Sequence, residues 1–262
     1  IALLAGAATA AEIEFPLQWH SEAYLNRMIP ATPDFFIDGY IGIDIDLIRH
    51  PATGLVLYAG ASKWTMMGRE EAGIVFDPRF MRYSLEPGFK WERDNAILYL
   101  RWMHDCYHEL DRKTTPTYIW NSYELGVMNP GLSAENRRGE FSEGSAGLEF
   151  SPRLDWNVLI GAVPQDRHSI WLQRNHDITA KFAAELRFSA LSMGAARLEL
   201  EYRPLVYMHM DNDFTDRQYF QMALVYYTEM GVMSGFWGYV ARDVQPIRPE
   251  DGEVRLGFRW EY

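Results

Sequence analysis

The sequence is poor in cysteine, in long apolar runs and in basic charge. Its 262 residues include one cysteine, so no internal disulfide framework can form. The longest apolar run, Ile1 to Ala11, is about half the roughly 20 residues that a membrane-spanning helix needs, which excludes a helical membrane protein. The 36 acidic and 25 basic residues give a net charge of −11. Nucleic-acid-binding domains present a basic face instead, so the charge balance predicts no nucleic-acid partner.

Aromatic residues are abundant, although the mean hydropathy is slightly negative. The chain has 14 Phe, 9 Trp and 15 Tyr. Transmembrane β-barrels have this composition because apolar residues that face lipid alternate with polar residues that face the lumen. The composition therefore favours a barrel in a bacterial outer membrane.

The first residues resemble the end of a secretory signal peptide. An apolar stretch leads to Ala8-Thr9-Ala10, a small-x-small cleavage pattern, and then to a polar start at Glu12. The alternative is an ordinary buried apolar segment. We expect residues 1–11 to be a signal-peptide remnant and residues 12–262 to form one outer-membrane β-barrel domain.

A period of two runs along most of the chain and is clearest at its C-terminus. One face of this segment carries Val254, Leu256, Phe258, Trp260 and Tyr262, and the other carries Glu253, Arg255, Gly257, Arg259 and Glu261. A strand in lipid needs an apolar outward face, and its charges must point into a polar lumen. A soluble β-sandwich also alternates, but its outward residues would not be so consistently a balanced set of Arg and Glu.

Twelve segments fit this alternation. They are 13–25, 35–49, 54–66, 80–92, 96–108, 117–128, 146–160, 181–191, 197–207, 217–228, 233–242 and 253–262. The pattern predicts an all-β fold, a single transmembrane antiparallel β-barrel of about 12 strands with both termini periplasmic. Connections after strands 2, 4, 8 and 10 should be short, and those after strands 3, 5, 7, 9 and 11 longer. The long periplasmic segment 129–145 does not fit this scheme.

The predicted inward faces carry charges of both signs. Mixed charges at neighbouring positions tend to pair across strands and fill the interior, whereas a wide diffusive pore often shows one sign. Pairing is therefore favoured over a conducting path. Asp38, Asp44 and Asp46 form a cluster of one sign, for which solvated lumen carboxylates are favoured over a cation site.

The fifth predicted strand departs from the apolar outward pattern. After Leu98, Leu100 and Trp102, the same face continues with His104, Cys106 and His108. The sixth strand places Asn121 on the outward face beside them. Nucleophilic catalysis needs a nucleophile, a base and a group that orients the base. Residues i and i+2 of one strand share a face, and the adjacent strand supplies the third group.

At these residues the sequence resembles outer-membrane phospholipase A, a family with a His-x-Ser motif on one strand and Trp-Asn on the next. The matching segments are W-M-H-D-C-Y at 102–107 and I-W-N-S-Y at 119–123. The resemblance implies a twelve-stranded barrel with ester-hydrolase activity in which His104 is the base, Cys106 the nucleophile and Asn121 the group that orients His104. Cysteine stands here for serine, and Tyr107 stands for the family's Asn before Gly.

Several alternatives remain open for this segment. His104 and His108 also suit the aromatic girdle at a membrane interface, and with Cys106 they could hold a soft metal ion. The sequence identifies no cofactor; if the chain is a hydrolase, a bound cation such as calcium could stabilise the oxyanion, held by loop carboxylates such as Glu109 or Asp111. The non-enzymatic alternative is a narrow channel or a structural component of an envelope assembly.

The expected partners follow from the predicted location. They are outer-membrane lipids and the barrel assembly machinery, which would engage the C-terminal strand that ends at Tyr262. A homodimer or an envelope-complex partner is left open.

Overall fold

The chain folds into one closed barrel of twelve antiparallel strands. The computed structural model describes residues 13–32, 35–68, 77–110, 117–132, 147–164, 177–243 and 250–262. The strands are β1 (Gln18–Ile29), β2 (Ile37–His50), β3 (Leu55–Gly68), β4 (Asp77–Arg93), β5 (Ala96–Glu109), β6 (Tyr118–Met128), β7 (Leu148–Ala162), β8 (Ile178–Met193), β9 (Ala196–His209), β10 (Phe214–Thr228), β11 (Gly231–Arg242) and β12 (Glu253–Glu261). Each strand pairs with its neighbours in sequence, and β1 closes against β12. The predicted all-β antiparallel barrel is confirmed. The predicted signal-peptide remnant, residues 1–11, lies outside the described residues.

The outer wall, meaning the outward surface of the strands, is apolar. In β12, Leu256 and Phe258 are 46% and 51% exposed, whereas Arg255 and Arg259 are each 4% exposed because they point into the lumen. Closure pairs the backbone groups of both edge strands, which an apolar solvent requires. A continuous apolar surface of this kind is stable against lipid and not against water. No helix in the described ranges is long and apolar enough to cross a membrane.

The first strand begins later than the alternation predicted. It starts at Gln18 and runs to Ile29, whereas the sequence indicated 13–25. Leu17 has a φ of 45°, which interrupts the extended backbone, and Pro16 has no N–H to donate to a ladder. Glu14 keeps only an isolated bridge to the end of β2.

Connections at the two ends of the barrel differ in length. At the terminal end, where β1 begins and β12 ends, short turns follow β2, β4, β8 and β10, as predicted. At the opposite end, the connection after β9 is only Met210–Asp213, so the prediction of a longer loop there was wrong. Asn212 adopts the left-handed region with φ 67°, and the Asp211 carboxylate accepts the N–H of Asp213 at 3.1 Å. This Asp-Asn-Asp sequence makes a tight turn because short polar side chains hydrogen-bond the local backbone.

The start of the long β6–β7 connection is bound to the barrel. Asn129 exchanges two hydrogen bonds with the Trp156 backbone, one through its own N–H and one through its side-chain oxygen. A single 3-10 turn, Pro130–Leu132, follows, and Pro130 and Leu132 line the lumen. The first residues of a segment that the alternation left unexplained therefore cover part of the lumen at the terminal end. Residues 133–146 lie outside the described part of the chain.

Ion pairs fill much of the lumen. The Glu124 carboxylate is fully buried and binds both Arg101, at 2.8 Å, and Lys181. Arg101 also pairs with Glu86 on the other side. The mixed charges therefore pair across strands, as predicted.

Two of the three clustered aspartates of β2, Asp38 and Asp46, belong to this ion-pair network. Asp38 binds Arg255 at 3.0 Å and Asp46 binds Lys90 at 2.6 Å, and both aspartates are buried. The expectation that they are solvated carboxylates was wrong for these two, because cations from β12 and β4 reach them. Asp44 is exposed and, like Asp46, lines a polar cavity of about 480 Å³ at the terminal end of the lumen.

Candidate active site on the outer wall

The three residues singled out in the sequence lie together on the outer wall. His104 and Cys106 are on β5, and both are partly exposed, whereas the alternate residues Met103 and Asp105 are buried in the lumen. In the β5–β6 register, His104 lies directly opposite Asn121. Residues that pair in this way have Cβ atoms about 4.5–5.5 Å apart, which is within side-chain contact.

A hydrogen bond joins His104 to Asn121. His104 Nδ1 lies 2.8 Å from the Asn121 side-chain oxygen. An amide oxygen only accepts, so Nδ1 carries the proton, and in the neutral form of the ring the lone pair is on Nε2. The Trp102 ring stacks on the imidazole, with centroids 5.8 Å apart. The imidazole is therefore oriented by two neighbours, and the nitrogen that could act as a base is the one not bound to Asn121.

Cys106 has a free, partly exposed thiol. Its register partners are Tyr83 on β4 and Ile119 on β6. It follows His104 by two positions on the same face, a spacing of about 6.6 Å along a strand. No hydrogen bond joins the thiol to the imidazole among the described residues. Bonds between a nucleophile and its base are often long in a free enzyme and shorten in the substrate complex.

The acidic residue between His104 and Cys106 faces the other way. Asp105 points into the lumen, where it accepts hydrogen bonds from Arg82 Nε at 2.8 Å and from the Ser84 hydroxyl at 2.5 Å. It therefore takes no part in a site on the outer wall.

The described residues do not assemble a metal site here. Calcium takes about 6–8 oxygen ligands, and no three His, Cys, Asp or Glu side chains of the described ranges are grouped to hold a metal ion. Asp111 lies outside the described residues. His108 instead lies 3.3 Å from the Thr117 hydroxyl and edge-on to the Tyr83 ring. Among the described residues, therefore, His104, Cys106 and His108 are not grouped as three ligands of one metal ion.

Lys63 is a polar neighbour that was not predicted from the sequence as a site residue. It lies on the outward face of β3, and one register row runs from Lys63 through Tyr83 to Cys106. Its ammonium group lies 5.9 Å from the centre of the Tyr83 ring. The signal was present in the sequence, since Lys63 takes an outward position in a strand whose other outward residues are mainly Leu, Ala and Met.

An apolar groove begins beside the site. It has a volume of about 450 Å³, and its lining includes Leu100, Tyr123, Phe182, Met208 and Phe214. Tyr123 lies two residues from Asn121 on the same face of β6. The groove therefore extends the site along the outer wall from β5 towards β10.

Solved structures share the fold. The chain resembles outer membrane phospholipase A from Escherichia coli, with 10% identity and a TM-score of 0.53 over 92% of this chain and 95% of that one. It also resembles the outer membrane phospholipase of Salmonella typhi, whose structure is a dimer with bound calcium. The identity is 10% and the TM-score 0.54, over 94% of this chain and 92% of that one. No protein-family model and no curated protein matches the sequence.

The fold and the apolar wall define the class of protein. The chain is an outer-membrane β-barrel protein. Its barrel is of the kind found in outer membrane phospholipase A, and at 10% identity this similarity concerns the fold.

Proposed function

We propose that the chain is a lipid-acting hydrolase of the phospholipase A type, with its site on the outer wall. The observation that carries the proposal is the 2.8 Å bond between His104 Nδ1 and Asn121 on a lipid-facing surface. A histidine held in one tautomer, with a nucleophile two positions away on the same face, supplies the base, the orienting group and the nucleophile that acyl transfer uses. An aromatic girdle would need neither the oriented imidazole nor the thiol.

The chemistry assigns one role to each residue. His104 Nε2 takes the proton of the Cys106 thiol, and the thiolate attacks the acyl carbonyl of a lipid ester. The C–O bond breaks, and the alcohol leaves with the proton from the imidazolium. Water, deprotonated by the same imidazole, then cleaves the thioester and releases the fatty acid. Asn121 keeps the imidazole oriented through both steps.

The position of the site suits a lipid substrate. An ester at Cys106 has its acyl chain in the bilayer, and the adjacent groove provides an apolar surface of the size of a ligand pocket. Leu100 and Tyr123 would contact that chain. The shared fold with two structures named as phospholipases agrees with this proposal.

The test is fatty-acid release from phospholipid by purified protein in mixed micelles, with and without calcium. We expect His104→Ala to lower the rate by about 10²–10⁴-fold, the range that general base catalysis contributes, and Cys106→Ala to lower it at least as much because the nucleophile is lost. Cys106→Ser should retain or raise activity, because a hydroxyl can occupy the same position. Asn121→Ala should lower the rate less, since it removes only the orientation of the ring.

His108→Ala is the matched control because it removes an imidazole from the same face of β5, two positions beyond Cys106. It should leave the rate unchanged. A wild-type protein that is inactive under all conditions would contradict the proposal, and so would a Cys106→Ala variant that keeps full activity. Loss of activity in His108→Ala as large as in His104→Ala would favour a metal site instead.

The second candidate is a non-enzymatic barrel that acts as a structural component of an envelope assembly. The observation that favours it over a channel is the paired lumen, in which Glu124 on β6 binds both Arg101 on β5 and Lys181 on β8.

The paired lumen also predicts the conductance. We expect purified protein in planar bilayers to show little steady current, because cross-strand ion pairs and buried rings occupy the interior. Large and stable openings of the unmodified protein would favour a narrow channel over a structural component of an envelope assembly.

A further inference from the structure

We propose that Lys63 binds the phosphate of a membrane lipid and thereby positions the ester of that lipid at Cys106. The kinetic role of Lys63 rests on the proposed function, because Lys63 would be a positioning residue of the proposed hydrolase site. The phosphate contact itself lies outside the set of His104, Cys106 and Asn121.

Lys63 occupies an unusual place on the outer wall. It lies five residues before the end of β3, beside the exposed residues Ile41 and Tyr83. The other outward charged side chains of the described strands lie within two residues of a strand end; they are Arg27, Arg93, Asp216 and Arg242. Asp216 and Arg242 also pair with each other at 2.6 Å. No carboxylate of the described residues pairs with Lys63.

A cation at this position calls for an anionic partner from outside the chain. A charged side chain on a lipid-facing wall is costly unless it reaches the headgroup region or meets an opposite charge. The Tyr83 ring, at 5.9 Å from the ammonium, supplies only a weak attraction. A lysine ammonium is a compact charge with three donors, and phosphate is a ligand that such a group binds well.

The spacing allows one lipid to contact both groups. Lys63 and Cys106 stand on either side of Tyr83 in one register row, two strand spacings apart, which is about 9.5 Å. In a glycerophospholipid only a few bonds separate the phosphate from the ester carbonyl, and the lysine stem is long and flexible. A phosphate held by Lys63 therefore leaves the ester over β5, with the acyl chain towards the groove.

The first experiment measures binding without turnover. In the Cys106→Ala background, native mass spectrometry in detergent would compare phosphatidylglycerol with diacylglycerol, which lacks the phosphate. We expect Lys63→Gln to weaken binding of phosphatidylglycerol about tenfold, the effect of losing one charge-assisted contact, and to leave diacylglycerol unchanged. Lys63→Arg should restore the affinity. Arg27→Gln, which removes an outward cation near a strand end, is the matched control and should have no effect.

The second experiment is the kinetic counterpart with Cys106 present. Lys63→Gln should raise the KM for phosphatidylglycerol about tenfold with little change in kcat, and should leave hydrolysis of diacylglycerol as it is. Equal losses with both lipids would show a structural effect and overturn the proposal, and so would unchanged binding of phosphatidylglycerol. If the wild-type protein releases no fatty acid but Lys63 still determines phosphate-dependent binding, the hydrolase proposal fails and the lipid contact stands.

Discussion

Deleting the last strand, Glu253–Glu261, is expected to abolish assembly of the barrel. This strand pairs with both β1 and β11, so its loss leaves two open edges. Each edge carries unpaired N–H and C=O groups, which the hydrocarbon region cannot satisfy. The deletion also removes Arg255 and Arg259, which are buried ion-pair partners in the lumen. Heat-dependent mobility on denaturing gels and circular dichroism of the refolded protein would measure the loss.

A point substitution in the same strand tests the contribution of side-chain contact with lipid while the backbone hydrogen bonds between strands are kept. Phe258→Asp keeps the backbone ladder but puts a carboxylate on the outer wall, where Phe258 is 51% exposed. We expect a cost of about 2 kcal/mol or more, because the loss of apolar contact adds to the burial of charge in lipid. Phe258→Leu is the control and should cost less than about 1.5 kcal/mol. A chain that stays folded and soluble without detergent in either form would contradict the membrane location.

The strand faces could be predicted from the sequence because a period of two survives wherever one side meets lipid. In β12 the alternation places Leu256 and Phe258 outside and Arg255 inside, and the structure agrees. Where local backbone chemistry interrupts the period, the prediction failed. Leu17 breaks the extended conformation ahead of β1, and the turn around Asn212 is shorter than its polar sequence indicated.

Pairing between distant strands could not be predicted in the same way. The partner of Asp38 is Arg255, from the other end of the sequence, and alternation carries no information about that contact. The bond between His104 and Asn121 likewise depends on the β5–β6 register, because a slip of one residue would turn one side chain to the other face. The sequence therefore predicted that His104 and Asn121 share a face, whereas their hydrogen bond follows from the register of the two strands. Lys63 was missed because its strand alternates weakly.

Removing the Glu124 carboxylate is expected to be the most destabilising single change in the lumen. Glu124 is fully buried, and it accepts hydrogen bonds from Arg101 and Ser122 and pairs with Lys181. Glu124→Ala leaves Arg101 and Lys181 without the buried carboxylate that compensates both of them. Breaking a buried pair on one side costs about 3–5 kcal/mol. Denaturant unfolding of the protein in detergent micelles, with Asp216→Ala as an exposed ion-pair control costing under about 1 kcal/mol, would measure the difference.

A double variant tests whether the cost comes from the uncompensated charge. Glu124→Leu with Lys181→Met removes one charge of each sign, and replacing a buried pair by apolar residues is often close to neutral. Arg101 keeps Glu86 as a partner in that background. We therefore expect the double variant to be more stable than Glu124→Ala by a few kcal/mol. If Glu124→Ala costs no more than Asp216→Ala, the ion pairs do not hold the interior together. Large steady conductance of the unmodified protein would then make a water-filled path through the lumen the better description, because the charged side chains would be solvated and would not fill the barrel.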